Sequence, residues 1–169
     1  MLIVLSGLPG TGKTPIAQEL VRRLGALYVR IDSIEQRVRD CKVEDSRLDV
    51  AGYTVGYAIA GDNLRLGQTV VADSVNALPV TRNGWRDVAR QAQAEILEVE
   101  VTCSDRSKHR ARVETRTTGI PGLRLPDWEQ VVSREYHPWD RERIVVDTAG
   151  HSVGQGVELV LEAIRIRKE

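Results

Sequence analysis

The stretch GLPGTGKT, residues 7–14, has the residue types and spacing of a phosphate-binding loop. Its glycines let the backbone turn N–H groups inward around an anion, in dihedral regions closed to residues with a Cβ. We expect Lys13 to contact the β- and γ-phosphates of a nucleotide and the Thr14 hydroxyl to bind an associated Mg²⁺. The predicted nucleotide-binding residues of the loop are Gly7, Leu8, Pro9, Gly10, Thr11, Gly12, Lys13 and Thr14.

An apolar run precedes this loop and a helical pattern from about Gly12 to Leu24 follows it, which favours a phosphate site over an ordinary glycine-rich turn. Pro15 is a departure, because proline has no backbone N–H to offer a phosphate. Proline is tolerated in a first helical turn, so the fold should survive. We count Pro15 among the nucleotide-binding positions and expect weaker binding than with serine or threonine there.

Asp32 follows the second apolar run and is the candidate catalytic base. At a strand end its carboxylate could bind an acceptor, take the proton of a hydroxyl group and orient that hydroxyl toward a γ-phosphate. Ser33 and Gln36 have capping-box spacing, so we predict that Ser33 caps the next helix and leaves Asp32 for chemistry. The alternative is that Asp32 is itself a helix-capping residue.

Asp73 ends the third apolar run, in the sequence VVADSVN, where a Walker B carboxylate would hold Mg²⁺. The next residue is Ser74 and not the glutamate that polarises water in many ATPases, so the pattern does not favour hydrolysis. We predict that Asp73 and Asn76 also contact the acceptor. A structural role in a cap or turn is the alternative for both.

The stretch from Arg106 to Arg124 is strongly basic, with Glu114 its only acidic residue. Arg112 and Arg116 are four residues apart and share one face of a predicted helix. A Gly- and Pro-containing segment follows, which suits a mobile lid over residues 106–126. Arg116 on that lid would neutralise charge on a transferring phosphoryl group. The alternative is a solvated basic helix, and His109 is interpreted as a surface residue.

Possible acceptor contacts lie between the second and third apolar runs. Tyr53 and Tyr57 are four residues apart on one helical face and could bind a ring or a sugar, although such a stripe is also typical of core packing. Arg37 and Arg39 could bind a phosphate or carboxylate of an acceptor. The sequence leaves the identity of that acceptor open.

Strands and helices alternate along the chain, which is the pattern of a parallel α/β sheet. In such sheets ligands bind at the carboxyl ends of the strands, where the candidate residues stand. The predicted strands are residues 1–6, 27–31, 69–73, 95–103 and 143–147.

The composition is consistent with one domain over residues 1–169, with substrate-side helices at about 33–66. No apolar run reaches membrane-spanning length, so we expect a cytoplasmic protein without a membrane partner. The formal net charge of +0 disfavours long nucleic acid as a partner. Cys41 and Cys103 are expected to be buried thiols, and oligomeric state is not encoded in any motif.

These motifs, in this order, resemble the small P-loop kinases of the gluconate-kinase and polynucleotide-5′-kinase-like group, including AAA-family ATP-binding proteins. The resemblance implies a P-loop NTPase fold with three αβα layers, a five-stranded parallel sheet, the loop-bearing strand in its middle and a helical lid. It implies that Asp32 is the base, Arg112 packs against the nucleotide base and Arg116 touches phosphate. Asp147, in the segment VVDTAG, would lie beside adenine. Pro15 departs from the family pattern.

The sequence therefore predicts an ATP- or GTP-dependent and Mg²⁺-dependent phosphotransferase acting on a hydroxyl of a small molecule. The catalytic residues would be Lys13, Asp32 and Arg116, with Thr14 and Asp73 at the metal. Three alternatives stay open: a polynucleotide 5′-hydroxyl kinase, a kinase that modifies an antibiotic, and a nucleotide-binding regulatory module.

Overall fold

Strands and helices alternate through the part of the chain that the computed structural model describes, residues 1–41 and 48–167. The strands are β1 (Leu2–Ser6), β2 (Leu27–Arg30), β3 (Val70–Asp73), β4 (Ile96–Thr102) and β5 (Ile144–Asp147). The helices are α1 (Lys13–Leu24), α2 (Ile31–Asp40), α3 (Leu48–Arg65), α4 (Pro79–Gln91), α5 (Arg106–Thr115), α6 (Trp128–Val132) and α7 (Val153–Ile166). The predicted strand positions are confirmed: β2 starts where expected, and the other four strands start one residue later than expected.

The five strands form a parallel sheet in the order β2-β3-β1-β4-β5. This order confirms the expected fold, with the loop-bearing strand β1 in the middle. The register pairs Leu5 and Arg30 with Asp73 on either side of β3, and Ser6 with Glu100. The carboxyl ends of β1, β2 and β3 therefore meet at one edge, where the phosphate-binding loop begins.

Apolar residues cover both faces of the sheet because successive side chains of a strand point to opposite sides. Ile3 and Leu5 pack with α1 and α7, whereas Leu2 and Val4 pack with α3 and α4. Strands buried on both faces are continuous apolar runs, which is why β1 was recognisable from the sequence. The result is the predicted three-layer αβα arrangement.

The substrate-side helices predicted over residues 33–66 correspond to α2 and α3. Residues 42–47 of that range lie outside the described residues. Helices α2 and α3 pack against each other, and α3 packs on β2 and β3. This arrangement brings the first turns of α2 and the tyrosines of α3 to the carboxyl edge of the sheet.

Arg82 on α4 is fully buried and ties the segment after β3 to the segment before β5. Its guanidinium donates to the carbonyls of Asn76, Ala77, His137 and Pro138 at 2.8–3.1 Å. It also stacks over Trp139, 4.1 Å from the ring centroid. Residues 137–139 thus pack against α4, ahead of the last strand.

Both cysteines are free thiols, but the expectation that both are buried is wrong for Cys41, which is exposed. It is the C-cap of α2 and follows Asp40, the last residue of that helix. Cys103 is partly buried after β4. Within residues 1–41 and 48–167, no helix combines the length and apolar character needed to cross a membrane.

Candidate functional site

The loop between β1 and α1 has the backbone of an anion-binding nest. Gly7, Gly10 and Gly12 have φ values of 143°, 85° and 99°, in the region that side chains disfavour. A Cβ on Gly7 would lie 2.1 Å from the Val101 carbonyl oxygen, so β4 leaves room only for glycine there. The loop opens directly into α1, whose first amides are free to bind an anion.

Side chains from two distant segments hold this loop in place. The His109 Nε2 lies 2.9 Å from the Pro9 carbonyl oxygen, so the ring nitrogen must donate. The Thr148 hydroxyl lies 2.7 Å from the Thr11 carbonyl oxygen. Within the loop, the Thr11 hydroxyl donates to the Leu8 carbonyl at 2.9 Å. The loop conformation therefore depends on α5 and on the segment after β5.

The interpretation of His109 as a surface residue is wrong, because only 7% of it is exposed. His109 and Val113 are four residues apart and share the buried face of α5, and the histidine ring packs edge-on against Trp128. That spacing was the signal available in the sequence. The opposite face of α5 is solvated, as the exposed ion pair of Arg110 with Glu114 illustrates.

Arg112 and Asp147, the residues expected near the nucleotide base, organise the segment after β5. Arg112 donates through Nη1 to the Thr148 hydroxyl at 2.7 Å and through Nη2 to the Thr148 carbonyl at 3.0 Å. Asp147 accepts from the backbone N–H groups of Ser104 and Ala149 at 2.9 and 3.0 Å. Hydrogen bonds from Ser104 and Ala149 lower the pKa of Asp147. Thr148, which the sequence did not single out, connects this segment to the loop.

Lys13 lies where charged groups from four elements converge. Burial lowers the pKa of Lys13, and Arg116 and Arg134 lower it further, whereas Asp73 and Asp32 raise it. Its ammonium donates to the carbonyl of Leu8 at 3.1 Å. Of the four charged neighbours, only Arg134 was missed in the sequence, where it follows α6 without a recognisable motif.

Asp73 and Thr14 are joined by a direct hydrogen bond of 2.8 Å from the threonine hydroxyl to Asp73 Oδ2. The same oxygen accepts from the Tyr28 hydroxyl at 2.8 Å. Burial raises the pKa of Tyr28, with Asp73 adding to the shift, so the phenol stays a donor. A hydroxyl and a carboxylate side by side are the hard oxygen ligands that Mg²⁺ prefers, so this pair fits the predicted metal position. No group of three or more metal-ligating side chains occurs elsewhere in the described residues.

Asp32 lines the cleft at the start of α2, but the predicted cap by Ser33 is wrong. The helix begins at Ile31, directly after β2, and its N-cap is Arg30, without a side-chain capping bond. Ile31 is buried in the core, which moves the helix start two residues ahead of the capping motif. Gln36 is instead buried and donates to Asp40 at 2.8 Å.

Some of the predicted acceptor contacts line the cleft and others do not: Asp32, Tyr53 and Tyr57 line it, whereas Arg37, Asp73 and Asn76 do not. Tyr53 and Tyr57 line the cleft and also pack on the core: the Tyr53 oxygen accepts from the Asn76 N–H at 2.9 Å, and Tyr57 donates to the Thr81 carbonyl at 2.8 Å. Asn76 is fully buried and its side-chain amide donates to the Ser6 hydroxyl at 2.9 Å, away from the cleft. Arg37 pairs with Asp40 on the outer surface of α2. Asp73, held by Thr14 and Tyr28, is also buried beneath the cleft.

The segment after α5 covers the cleft from the P-loop to α2. Arg116 ends α5, and its Nη2 lies 3.4 Å from the Pro126 carbonyl oxygen. Gly122 has φ 81° and approaches so closely that an added Cβ would be 3.1 Å from Gln36 Nε2. Ile120 is buried. The cleft has a volume of about 1230 Å³ and is lined by the loop, the end of β2, α2, α3 and this covering segment.

A protein-family model described as an AAA domain matches residues 2–127. The uncharacterized protein Rv2004c of Mycobacterium tuberculosis is 30% identical over 179 aligned positions, which cover 96% of this chain and 35% of that protein. This chain thus spans about a third of the length of the curated relatives that it matches.

Two solved structures share the fold at low identity. The APS kinase CysC of Mycobacterium tuberculosis, in complex with AMPPNP and APS, superposes with a TM-score of 0.67 at 19% identity, covering 99% of this chain and 97% of that one. A gluconokinase from Sinorhizobium meliloti 1021 gives a TM-score of 0.63 at 16% identity, with 99% and 97% coverage. With the family model matching three quarters of its length, the chain belongs to the AAA domain family, and its fold is that of the small P-loop kinases.

Proposed function

We propose that this protein transfers the γ-phosphoryl group of ATP, bound with Mg²⁺, to a hydroxyl group of a small molecule. One observation carries the proposal: Lys13, Asp32 and Arg116 come from three separate elements and line one cleft, and Asp73 is hydrogen-bonded at 2.8 Å to Thr14, which lines the same cleft. Phosphoryl transfer requires a cation, a metal-binding carboxylate and a second carboxylate in this arrangement.

Each residue has a distinct role in the proposed reaction. The amides of residues 7–14 bind the phosphates, and Lys13 and Arg116 stabilise the charge of the transferring group. Thr14 and Asp73 would hold Mg²⁺, which would supply positive charge to the phosphates of the nucleotide. The Asp32 carboxylate accepts the proton of the acceptor hydroxyl, the acceptor oxygen bonds to the γ-phosphorus, and the bond to the β–γ bridging oxygen breaks to leave ADP.

The segment after α5, which covers the cleft, favours a small acceptor over a polynucleotide end. A volume of about 1230 Å³ exceeds the usual range for one ligand and is sufficient for a nucleotide together with a second small molecule. Gly122, in the segment after α5, approaches Gln36 of α2, which narrows the space available to a polymer. Free cysteines and dependence on ATP are consistent with a cytoplasmic location, which forms part of the proposal.

The proposal is tested first by nucleotide binding and then by ADP release. Thermal shifts with Mg²⁺ and each nucleotide should reveal even weak binding, because a ligand that binds only the folded state stabilises it. A coupled assay then measures ADP release with sugars, hydroxy acids, nucleosides, aminoglycosides and 5′-hydroxyl oligonucleotides. We expect one acceptor class to raise ADP release.

The variant Asp32→Asn should lower that acceptor-dependent rate by on the order of 10²-fold or more, if the carboxylate is the general base. The control Asp62→Asn removes an exposed carboxylate of α3 that pairs with Arg65 and should leave the rate unchanged. Nucleotide binding without any acceptor effect, or full activity of Asp32→Asn, would contradict the proposal and favour a regulatory nucleotide-binding module.

A further inference from the structure

Arg30 lines the cleft but has no predicted role in binding the nucleotide. It is the last residue of β2, and its side chain is 17% exposed. Its Nε atom is buried and makes no hydrogen bond to any part of the chain that the structure describes. A buried N–H group without an acceptor is costly, so the fold alone does not satisfy this arginine at the edge of the cleft.

The nearest carboxylate does not satisfy this arginine. Asp73 Oδ2 lies 4.0 Å from Arg30 Nε, too far for a hydrogen bond. That oxygen already accepts from Thr14 and Tyr28 at 2.8 Å each. Arg30 therefore contributes positive charge near Asp73, while the N–H donors of its planar guanidinium are available to a ligand in the cleft.

The cleft as a whole carries an excess of positive charge, although the chain has a formal net charge of +0. Seven cationic residues and three acidic residues line it. The cations are Lys13, Arg30, Arg39, Arg112, Arg116, Arg124 and Arg134, and the acids are Asp32, Glu35 and Glu135. Lys13 and Arg116 are assigned to the transferring phosphate, and Arg112 to the side of the nucleotide base. Of the four remaining cations, Arg124 lies in the segment after α5 and Arg134 follows α6, whereas Arg30 and Arg39 lie on the side of α2.

We infer that the acceptor is an anionic hydroxyl compound whose phosphate or carboxylate group binds Arg30 beside the catalytic hydroxyl at Asp32. The inference rests on the proposed function and specifies its substrate class. Guanidinium groups bind both oxyanions through two parallel hydrogen bonds. Because Arg30 and Asp32 are two residues apart at one strand end, the anionic group and the reacting hydroxyl are a few bonds apart in the same molecule.

A binding experiment tests this without turnover. The protein is saturated with AMPPNP and Mg²⁺, so that the triphosphate site is filled, and inorganic phosphate or glycerate is titrated at constant ionic strength while the melting temperature is followed. We expect at least one of the two anions to raise the melting temperature of the wild-type protein. The two probes distinguish a phosphate subsite from a carboxylate subsite.

Substitutions show which residue is responsible for the melting-temperature response to the anion. Arg30→Met should weaken the anion response at least tenfold, and Arg30→Lys should weaken it less, because the charge remains and the planar donors are lost. Arg90→Met, which removes an exposed arginine of α4 outside the cleft, should respond as the wild type does. No anion response in AMPPNP-bound protein would overturn the inference. So would an Arg30→Met variant that loses AMPPNP affinity but keeps the anion response, since Arg30 would then serve Asp73.

The acceptor screen separates failure of the inference from failure of the proposed function. Stimulation of ADP release only by phosphorylated or carboxylated hydroxyl compounds supports both. Stimulation by a neutral sugar or polyol, undiminished in Arg30→Met, keeps the kinase but overturns the anionic acceptor. If AMPPNP does not bind at all, the proposed function fails and the inference fails with it.

Discussion

The two halves of the cleft are built differently. In the phosphate half, the loop of residues 7–14 presents backbone groups, and three of its carbonyls accept hydrogen bonds from His109, Thr148 and Lys13. In the acceptor half, the end of β2 with α2 and α3 presents side chains, and Arg30 has a buried N–H with no partner in the described chain. A backbone nest fits the phosphates of any nucleotide, whereas side chains select one acceptor.

This difference determines what each half should lose on mutation. Substitutions that disturb the phosphate half should change nucleotide affinity, because the backbone of the loop binds the phosphates of the nucleotide. Substitutions in the acceptor half should alter stability or acceptor choice while nucleotide affinity is retained.

The largest effect is expected from Arg82→Ala in the scaffold of the acceptor half. Arg82 donates to four carbonyls, among them that of Asn76, whose N–H in turn donates to Tyr53. Removing the guanidinium leaves these buried acceptors unsatisfied, and we expect a loss of about 3 kcal/mol in the free energy of unfolding. Chemical denaturation measures this loss.

The matched control is Arg90→Ala on the same helix, where the arginine is exposed and pairs with Asp87 at 2.9 Å. Its effect should stay within about 0.5 kcal/mol, as is typical of a surface ion pair. AMPPNP affinity of folded Arg82→Ala should match the wild type. A variant that keeps its stability but loses nucleotide affinity would show that the two halves are not separable.

His109→Phe is the corresponding change in the phosphate half. Phenylalanine keeps the aromatic contact with Trp128 but leaves the Pro9 carbonyl without its donor. We expect a cost of about 1–3 kcal/mol, shared between stability and AMPPNP affinity, to be measured by denaturation and calorimetry. His137→Phe replaces an exposed histidine of the acceptor-side scaffold and should leave AMPPNP affinity unchanged. Equal nucleotide affinity in both variants would mean that His109 does not support the loop.

The sequence predicted the parts of the molecule that follow local rules. The strand positions, the loop and the positions of Asp32 and Asp73 follow from apolar runs and from a motif whose glycines have one backbone geometry, whereas the central place of β1 was implied by the resemblance to the small P-loop kinases. Ser33 was wrong as a cap because burial of Ile31, a tertiary effect, extends α2 toward β2. Local sequence cannot report such a competition.

The missed residues depend on contacts between distant segments. His109 and Arg82 both lie on the buried faces of their helices, at helical spacing from Val113 and Trp85. That spacing can be read from the sequence, but His109 lies in a strongly basic stretch that favours a solvated helix, and Arg82 belongs to no motif. Arg30 and Arg134 have no local signature, since only the folded cleft places them beside Asp73 and Lys13.

Pro15→Ala tests whether the phosphate half lacks one donor. Pro15 lies in the first turn of α1 and lines the cleft, at a position whose N–H has no helical partner. Alanine restores that N–H, and one added hydrogen bond of about 1 kcal/mol should tighten AMPPNP binding roughly fivefold. Calorimetry measures the change. Unchanged affinity would indicate that this amide does not reach the phosphates.

The smallest effect is expected from Asp147→Asn, which tests whether the segment beside the loop depends on an ionised carboxylate. Hydrogen bonds from Ser104 and Ala149 lower the pKa of Asp147 below its ordinary value of 3.8. Because the pKa of Asp147 is lower in the folded than in the unfolded state, the ionised carboxylate contributes stability at pH values above its unfolded-state pKa. This contribution is lost as the pH falls through its folded-state pKa.

The wild type should therefore melt at a higher temperature than Asp147→Asn at neutral pH, and the difference should shrink from about pH 5 downward. Asp62→Asn, an exposed carboxylate of α3, should show a small difference that varies less with pH. If the gap for Asp147→Asn stays constant as the carboxylate becomes protonated, the segment that carries Thr148 is held by packing alone. The two halves would then differ in hydrogen bonding but not in their response to acid.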